Sequence, residues 1–179
     1  MKIIIIGLGL IGGSIAKALS SAQDYEILAF DSDQQSIKNA LHNQSIQGSL
    51  NSLNDLESAE YSHSLVIIST PPSVTNDILK SLDFLFNSSV TITDTTSSKS
   101  SLNITLQEFY FPKNFIFSHP VAGSHLSGEK NSVANLFDGK STILSYHDSV
   151  ASQHVDRVTN LWNALGSNII VLDAELHDK

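Results

Sequence analysis

The run Lys2-Ile3-Ile4-Ile5-Ile6 leads without a break into Gly7-Leu8-Gly9-Leu10-Ile11-Gly12. No other junction in the chain constrains the fold as strongly. Four consecutive β-branched residues read as a strand buried on both faces. Ile11, Ile15, Ala18, Leu19 and Ala22 then recur with helical spacing. A second strand, Glu26 to Phe30, ends at Asp31, nineteen residues past Gly12. Strand, G-x-G-x-x-G, helix, strand and acid, in that order, form the fingerprint of a dinucleotide-binding β-α-β unit. Gly7 permits the tight turn, Gly9 leaves the backbone open to a pyrophosphate, and Gly12 lets the helix lie close to the sheet. The phosphates belong at the helix start, at Leu10 and Ile11, where free N–H groups and the helix dipole favour an anion.

A signal peptide also begins with a basic residue and an apolar run, and Ala18 to Ala22 imitates a cleavage site. Lys17 interrupts the run too early for that, and the glycines fall in fingerprint register. The segment is too short and glycine-rich to span a membrane. Asp31 bears on the choice of cofactor. Its carboxylate can accept hydrogen bonds from both ribose hydroxyls of NAD, and it repels the 2′-phosphate of NADP. Ser32 and Asp33 supply no arginine to offset that repulsion, so NAD is expected.

At 179 residues the chain suggests one domain with a small appendage. Its net charge of −8, with ten Lys plus Arg, argues against a nucleic-acid surface. It has no cysteine, which excludes thiolate chemistry and fits a cytoplasmic protein. No His/Asp/Glu spacing suits a metal, and neither a G-x-S-x-G elbow nor a Walker sequence is present.

Strand and helix signals alternate beyond the first unit, which argues for an α/β fold of the doubly wound Rossmann type. Such a fold has a mainly parallel sheet with helices on both faces. A helix is expected over Gln34 to Asn43 and a weak strand through Ile46 and Leu50. Leu65 to Ser69 reads as a buried strand ending at Thr70-Pro71-Pro72. Ser73 would cap the next helix, with Val74, Ile78, Leu82 and Leu85 as its buried stripe. Strands are expected to end at Asp94 and at Ser118, with further strands near Thr142 to Ser145 and Asn168 to Leu172. Between these lies a helix from about Val150 to Leu165, stopped by Gly166. Domain 1–172 would thus bind the cofactor, and Asp173 would cap the start of another helix over 173–179. In open α/β sheets ligands bind beyond the carboxyl ends of the strands. Thr70 and Pro71, Asp94 to Lys99, and Ser118 to Ser127 fall there.

His119 lies at a strand end. A dehydrogenase oxidising an alcohol needs a base for the hydroxyl proton, and imidazole suits that task near neutral pH. The alternative is a histidine that ties its loop to the sheet. His125 is placed less favourably, and His42, His63, His147 and His154 read as surface or helix histidines. The hydroxyls of Asp94-Thr95-Thr96-Ser97-Ser98-Lys99 could orient a histidine or a substrate oxygen, or simply cap a helix. Thr70-Pro71-Pro72 could wall a nicotinamide pocket or serve as a rigid turn.

The elements G-L-G-L-I-G-G-S (7–14), T-P-P (70–72), D-T-T-S-S-K (94–99), S-H-P-V-A-G-S-H-L-S-G (118–128), L-F-D-G-K (136–140), L-W-N-A-L-G (161–166) and D-A-E-L-H-D (173–178) together resemble the NAD-binding domain of the prephenate dehydrogenase family, which includes arogenate dehydrogenases. The resemblance spans essentially the whole chain, and H-P-V-A-G-S is its most specific part. It implies that His119 hydrogen-bonds the ring hydroxyl of prephenate and promotes its deprotonation, and that Ser97 assists there. Thr96 stands where the family usually has glycine. The implied reaction is oxidative decarboxylation, in which NAD takes the hydride and the ring carboxylate leaves as carbon dioxide. Prephenate would give 4-hydroxyphenylpyruvate and arogenate would give tyrosine; the sequence does not choose between them. The family carries a C-terminal helical domain that forms a homodimer and supplies cations to the substrate. That domain is expected to be absent here, with the chain stopping inside its first helix. The residues agree, since a dicarboxylate needs cations, yet Arg157 is the only arginine and Lys99 the only lysine in a candidate site. The isolated chain is therefore expected to be weakly active or inactive.

Two other readings compete. A β-hydroxyacid dehydrogenase would need a catalytic lysine on a later helix, and after Gly166 only Lys179 is available. A non-catalytic NAD-binding module would keep Gly7 to Gly12 and Asp31 but would not need both His119 and Ser97.

Overall fold

A computed structural model describes residues 1–122 and 128–172. Its strands are β1 (Lys2–Ile6), β2 (Glu26–Phe30), β3 (Gly48–Ser49), β4 (Leu65–Ile68), β5 (Thr91–Asp94), β6 (Phe115–Pro120), β7 (Ser141–Ser145) and β8 (Asn168–Val171). The helices are α1 (Leu10–Leu19), α2 (Gln34–His42), α3 (Pro72–Ser81), α4 (Ser100–Glu108) and α5 (Ser152–Ala164). All the strands join one sheet in the order β3-β2-β1-β4-β5-β6-β7-β8. β1 to β6 run parallel, β7 is antiparallel to β6, and β8 follows β7. This is the doubly wound α/β arrangement. No helix among the described residues is long and apolar enough to cross a membrane.

The isoleucine run of β1 serves both faces. Ile3 and Ile5 pack with Ile15 of α1 and with Val158 and Trp162 of α5. Ile4 and Ile6 pack with Leu79 of α3 and with Leu102 and Leu106 of α4. Successive strand residues point to opposite faces, so a strand covered on both sides must be apolar throughout. At the end of α5, Gly166 adopts φ +76, which favours glycine.

Several expectations shift in detail. The weak strand shortens to Gly48–Ser49, paired with β2, although Ile46 and Leu50 are both buried. Ser73 does not cap α3; Pro71 occupies that position and Pro72 opens the helix. Proline suits the first helical turn because its fixed φ matches and its missing N–H would have no partner there. Of the expected stripe, Ile78 is half-buried against the core, and Leu82 and Leu85 are buried just past the end of α3, but Val74 is not. Thr75 and Leu79 are the buried residues of α3, while Val74 is 42 % exposed. Strand β6 runs on through His119 and Pro120, so His119 lies within a strand rather than past its end. The expected cap at Asp173, the elements at 173–178, and His125 lie outside the described residues.

Candidate active site

The site assembles at the carboxyl ends of β1, β4, β5 and β6. Gly7 leaves β1 at φ +96, and a Cβ there would come within 2.6 Å of the Ser69 carbonyl oxygen. Only glycine makes this turn without strain. Gly9 is the N-cap of α1, with no side-chain cap and no acidic residue in the first turn. A Cβ on Gly9 would meet nothing within 4 Å. The backbone there stands open, and the first N–H groups of α1 are available to an anion.

Two cavities meet over this turn. The larger, about 640 Å³, is walled by Gly9, Leu10 and Ile11 on one side and by Ser69 to Pro72 on another. Thr95, Thr96 and Ser97 after β5, and His119 to Ala122, complete it with Gly128. His119 and Ser97, distant in sequence, thus face one space. Thr95 donates its hydroxyl hydrogen to Ser69 Oγ at 3.1 Å on the same wall. Thr75 on α3 donates to the Pro71 carbonyl at 3.0 Å and meets Thr70 Oγ1 at 3.0 Å, which fixes the Thr70-Pro71 turn.

The second cavity, about 460 Å³, shares Gly9, Ser69, Thr70 and Pro71 with the first. Asp31, Phe30, Val74 and Ile78 also line it. Val74, and Ile78 where it is not packed on the core, give this cavity an apolar wall. The Asp31 carboxylate accepts the Leu8 N–H at 2.6 Å and the Asp33 N–H at 2.8 Å, one on each oxygen. Each oxygen keeps a lone pair for a ligand hydroxyl. Asp33 caps α2; the Ser36 hydroxyl and then the Gln35 N–H hold its carboxyl below the usual carboxylate range. Of the two carboxylates, Asp31 lines the cavity, whereas Asp33 lies in a neighbouring pocket with Lys130. Gly12 lines neither cavity. It packs α1 onto β1, since a Cβ would collide with the Gly7 carbonyl oxygen and touch Ile5.

Lys99 is not a cation presented to a ligand. It is 1 % exposed, and its ammonium donates to Asp94 Oδ2 at 2.5 Å and to the Ser118 carbonyl at 2.7 Å. Asp94 is fully buried. Neither member of the resulting pair lines either cavity. In the sequence its signal is a carboxylate at the end of a buried strand with a lysine five residues on. No group of three or more metal-ligating side chains occurs among the described residues.

Residues 15–171 match the family described as prephenate dehydrogenase, nucleotide-binding domain. The chain belongs to this family. A prephenate dehydrogenase from Lactococcus lactis subsp. cremoris is 35 % identical over 99 % of the chain, which covers 48 % of that protein. A cyclohexadienyl dehydrogenase from Zymomonas mobilis is 29 % identical over 98 % of the chain and 59 % of its own length. The chain thus spans about half the length of the curated relatives it matches. The crystal structure of Aquifex aeolicus prephenate dehydrogenase with hydroxyphenyl propionate and NAD+ superposes with a TM-score of 0.87 at 30 % identity. That match covers 99 % of this chain and 61 % of the other. Between them the two cavities are lined by the candidate residues Gly7, Gly9, Leu10, Ile11, Asp31, Thr70, Pro71, Ser97 and His119.

Proposed function

We propose that this chain is the NAD-binding part of an NAD-dependent prephenate dehydrogenase. In this reading the adenosine half of NAD lies in the Asp31 cavity, with its ribose hydroxyls on the carboxylate and its adenine against Val74 and Ile78. The open Gly9 turn at the start of α1 would hold the pyrophosphate, and the cavity that Ser97 and His119 line would receive the nicotinamide. When bound, NAD supplies the hydride acceptor. His119 accepts the ring-hydroxyl proton of the substrate as hydride leaves the carbon that bears it, and Ser97 orients that hydroxyl. The ring carboxylate departs as carbon dioxide, and aromatisation drives the step. A homodimer, a helical partner domain and a place in cytoplasmic tyrosine biosynthesis belong to the same proposal.

The observation that carries this reading is the convergence of the open Gly9 turn, Asp31, Ser97 and His119 on two cavities that share one wall. The relevant assay is formation of NADH from NAD with prephenate and with arogenate, beside calorimetric titration of NAD. Absence of NAD binding would overturn the reading. The substrate that yields NADH decides between prephenate and arogenate.

A further inference from the structure

The β5–β6 ladder stops early. Its register pairs Ile92 with Phe115 and Thr93 with Ile116, and there β5 runs out at Asp94. Beyond that point β6 keeps a strand neighbour only on its other side, where Ser118 and His119 pair with Leu144 and Ile143 of β7. The backbone of Ser118, fully buried, still needs partners on the β5 side. Side chains supply them. The Ser118 N–H donates to Asp94 Oδ1 at 3.3 Å, and its carbonyl accepts from Lys99 Nζ at 2.7 Å. Its hydroxyl accepts from the Trp162 indole at 3.0 Å and meets Thr93 Oγ1 at 2.7 Å. The residue immediately before His119 is thus held at every polar atom.

The same carboxylate shapes the loop that bears Ser97. Asp94 Oδ2 accepts the Thr96 N–H at 2.9 Å and the Thr96 hydroxyl at 2.5 Å. Lys99 Nζ also donates to Thr96 Oγ1 at 3.3 Å. Residue 96 is not among those with positive φ, so its backbone makes no demand for glycine, and its side chain, 6 % exposed, is committed inward.

We propose that Asp94, Thr96 and Lys99 form a positioning network that replaces the missing strand pairing and couples the Ser97 loop to the His119 strand. The inference rests on reading the shared cavity as the hydride-transfer site. Asp94 and Lys99 line neither cavity, and the Thr96 hydroxyl is turned to Asp94 although its residue borders the larger one. The three side chains fix the two residues that would touch substrate, because one ion pair is bonded to both segments. Burying a lysine and an aspartate costs desolvation that neutral residues avoid, so such a pair adds little to stability for its burial. A directional bridge of several hydrogen bonds is what it provides.

The test uses this chain and its ¹H–¹⁵N spectra. Thr96→Val removes one hydroxyl at nearly constant volume. The expected result is displacement of the Ser118 and His119 amide signals, together with those of residues 95 to 98, by more than a line width. Thr96→Ser, which keeps the donor, returns the Ser118 and His119 signals to their original positions. In the Asp94→Asn/Lys99→Met background, which removes both buried charges together, the same Thr96→Val change leaves residues 118 and 119 unmoved. Signals at 118 and 119 that stay in place on Thr96→Val in the wild-type background overturn the proposal. So does equal displacement in both backgrounds. If the doubly neutral background does not fold, the Val and Ser variants decide alone. A role in stability only would lower the melting temperature without this transmission. Calorimetric titration of NAD separates the two readings. Loss of transmission with NAD binding intact removes the network, and transmission without NAD binding removes the functional reading.

Discussion

At the scale of single residues, Asp31 and His119 carry the most testable chemistry. Asp31 holds two backbone N–H groups and faces the cavity, with ionised Asp33 close by in sequence at the start of α2. The Asp31 charge opposes a 2′-phosphate. The chain is expected to bind NAD more tightly than NADP, and Asp31→Ser to narrow that gap from both sides. Calorimetry with the two cofactors checks this, and an unchanged ratio would remove Asp31 from the recognition of the ribose. His119 is half-buried on β6 and lines the larger cavity. His119→Asn keeps a hydrogen-bonding side chain but cannot take a proton at neutral pH. Measured in a protein carrying this domain and the rest of the substrate site, turnover should fall ~10²–10⁴-fold with NAD affinity preserved. A loss below tenfold, about 1.4 kcal/mol in barrier, would make His119 a structural residue.

Elements show what each side chain does that its type alone does not reveal. Gly12 sits where α1 crosses β1, and any Cβ there strikes the Gly7 carbonyl. Gly12→Ala should therefore cost about 1–3 kcal/mol or more in stability, the range for overpacking. It should also weaken NAD binding by displacing the turn; denaturant unfolding and calorimetry read the two effects. Helix α5 holds a second case. His154 is 3 % exposed, and its Nδ1 lies 2.7 Å from Thr91 Oγ1, to which Arg157 also donates at 3.0 Å. Burial, and then the Arg157 charge, push its pKa below the usual 6.5. The unfolded chain then binds the proton more readily than the folded one, so stability is full above pH 6.5 and falls as pH drops through the lowered value. The melting temperature should decline from pH 7 to 5, and His154→Gln should flatten that slope. The sequence readily exposed the glycine turn, the polar clusters at the strand ends and the His119 stretch, because those rest on local spacing. It misplaced Val74, because an apolar helix residue reads alike whether it meets the core or a cavity. It offered Lys99 as a site cation, because no local pattern tells a buried ion pair from an exposed charge. The reach of β6 past β5 is a matter of register between distant segments, so His119 within a strand was out of view.

At the scale of the whole molecule, the cleft is well furnished for a cofactor and poorly furnished for a dicarboxylate. Its described walls contain His119 but neither lysine nor arginine. Lys99 is committed to Asp94 and Ser118 and lines neither cavity. Arg157 donates to the Ser89 carbonyl and to Thr91 Oγ1, at the opposite end of β5 from the site. Two carboxylates brought into a low-dielectric cleft need compensating charge, or their desolvation opposes binding. The glycine turn, the Asp31 pocket and both faces of the core are complete within the described residues, so the cofactor half needs no outside help to form. This chain by itself should therefore fold cooperatively and bind NAD, yet convert prephenate slowly and with a high KM. The decisive measurement is steady-state NADH production by this chain beside that of the Lactococcus lactis relative, each saturated with NAD. Comparable kcat/KM would mean that the substrate's carboxylates find their cations without any further protein segment, and the argument from the cleft's charge would fail.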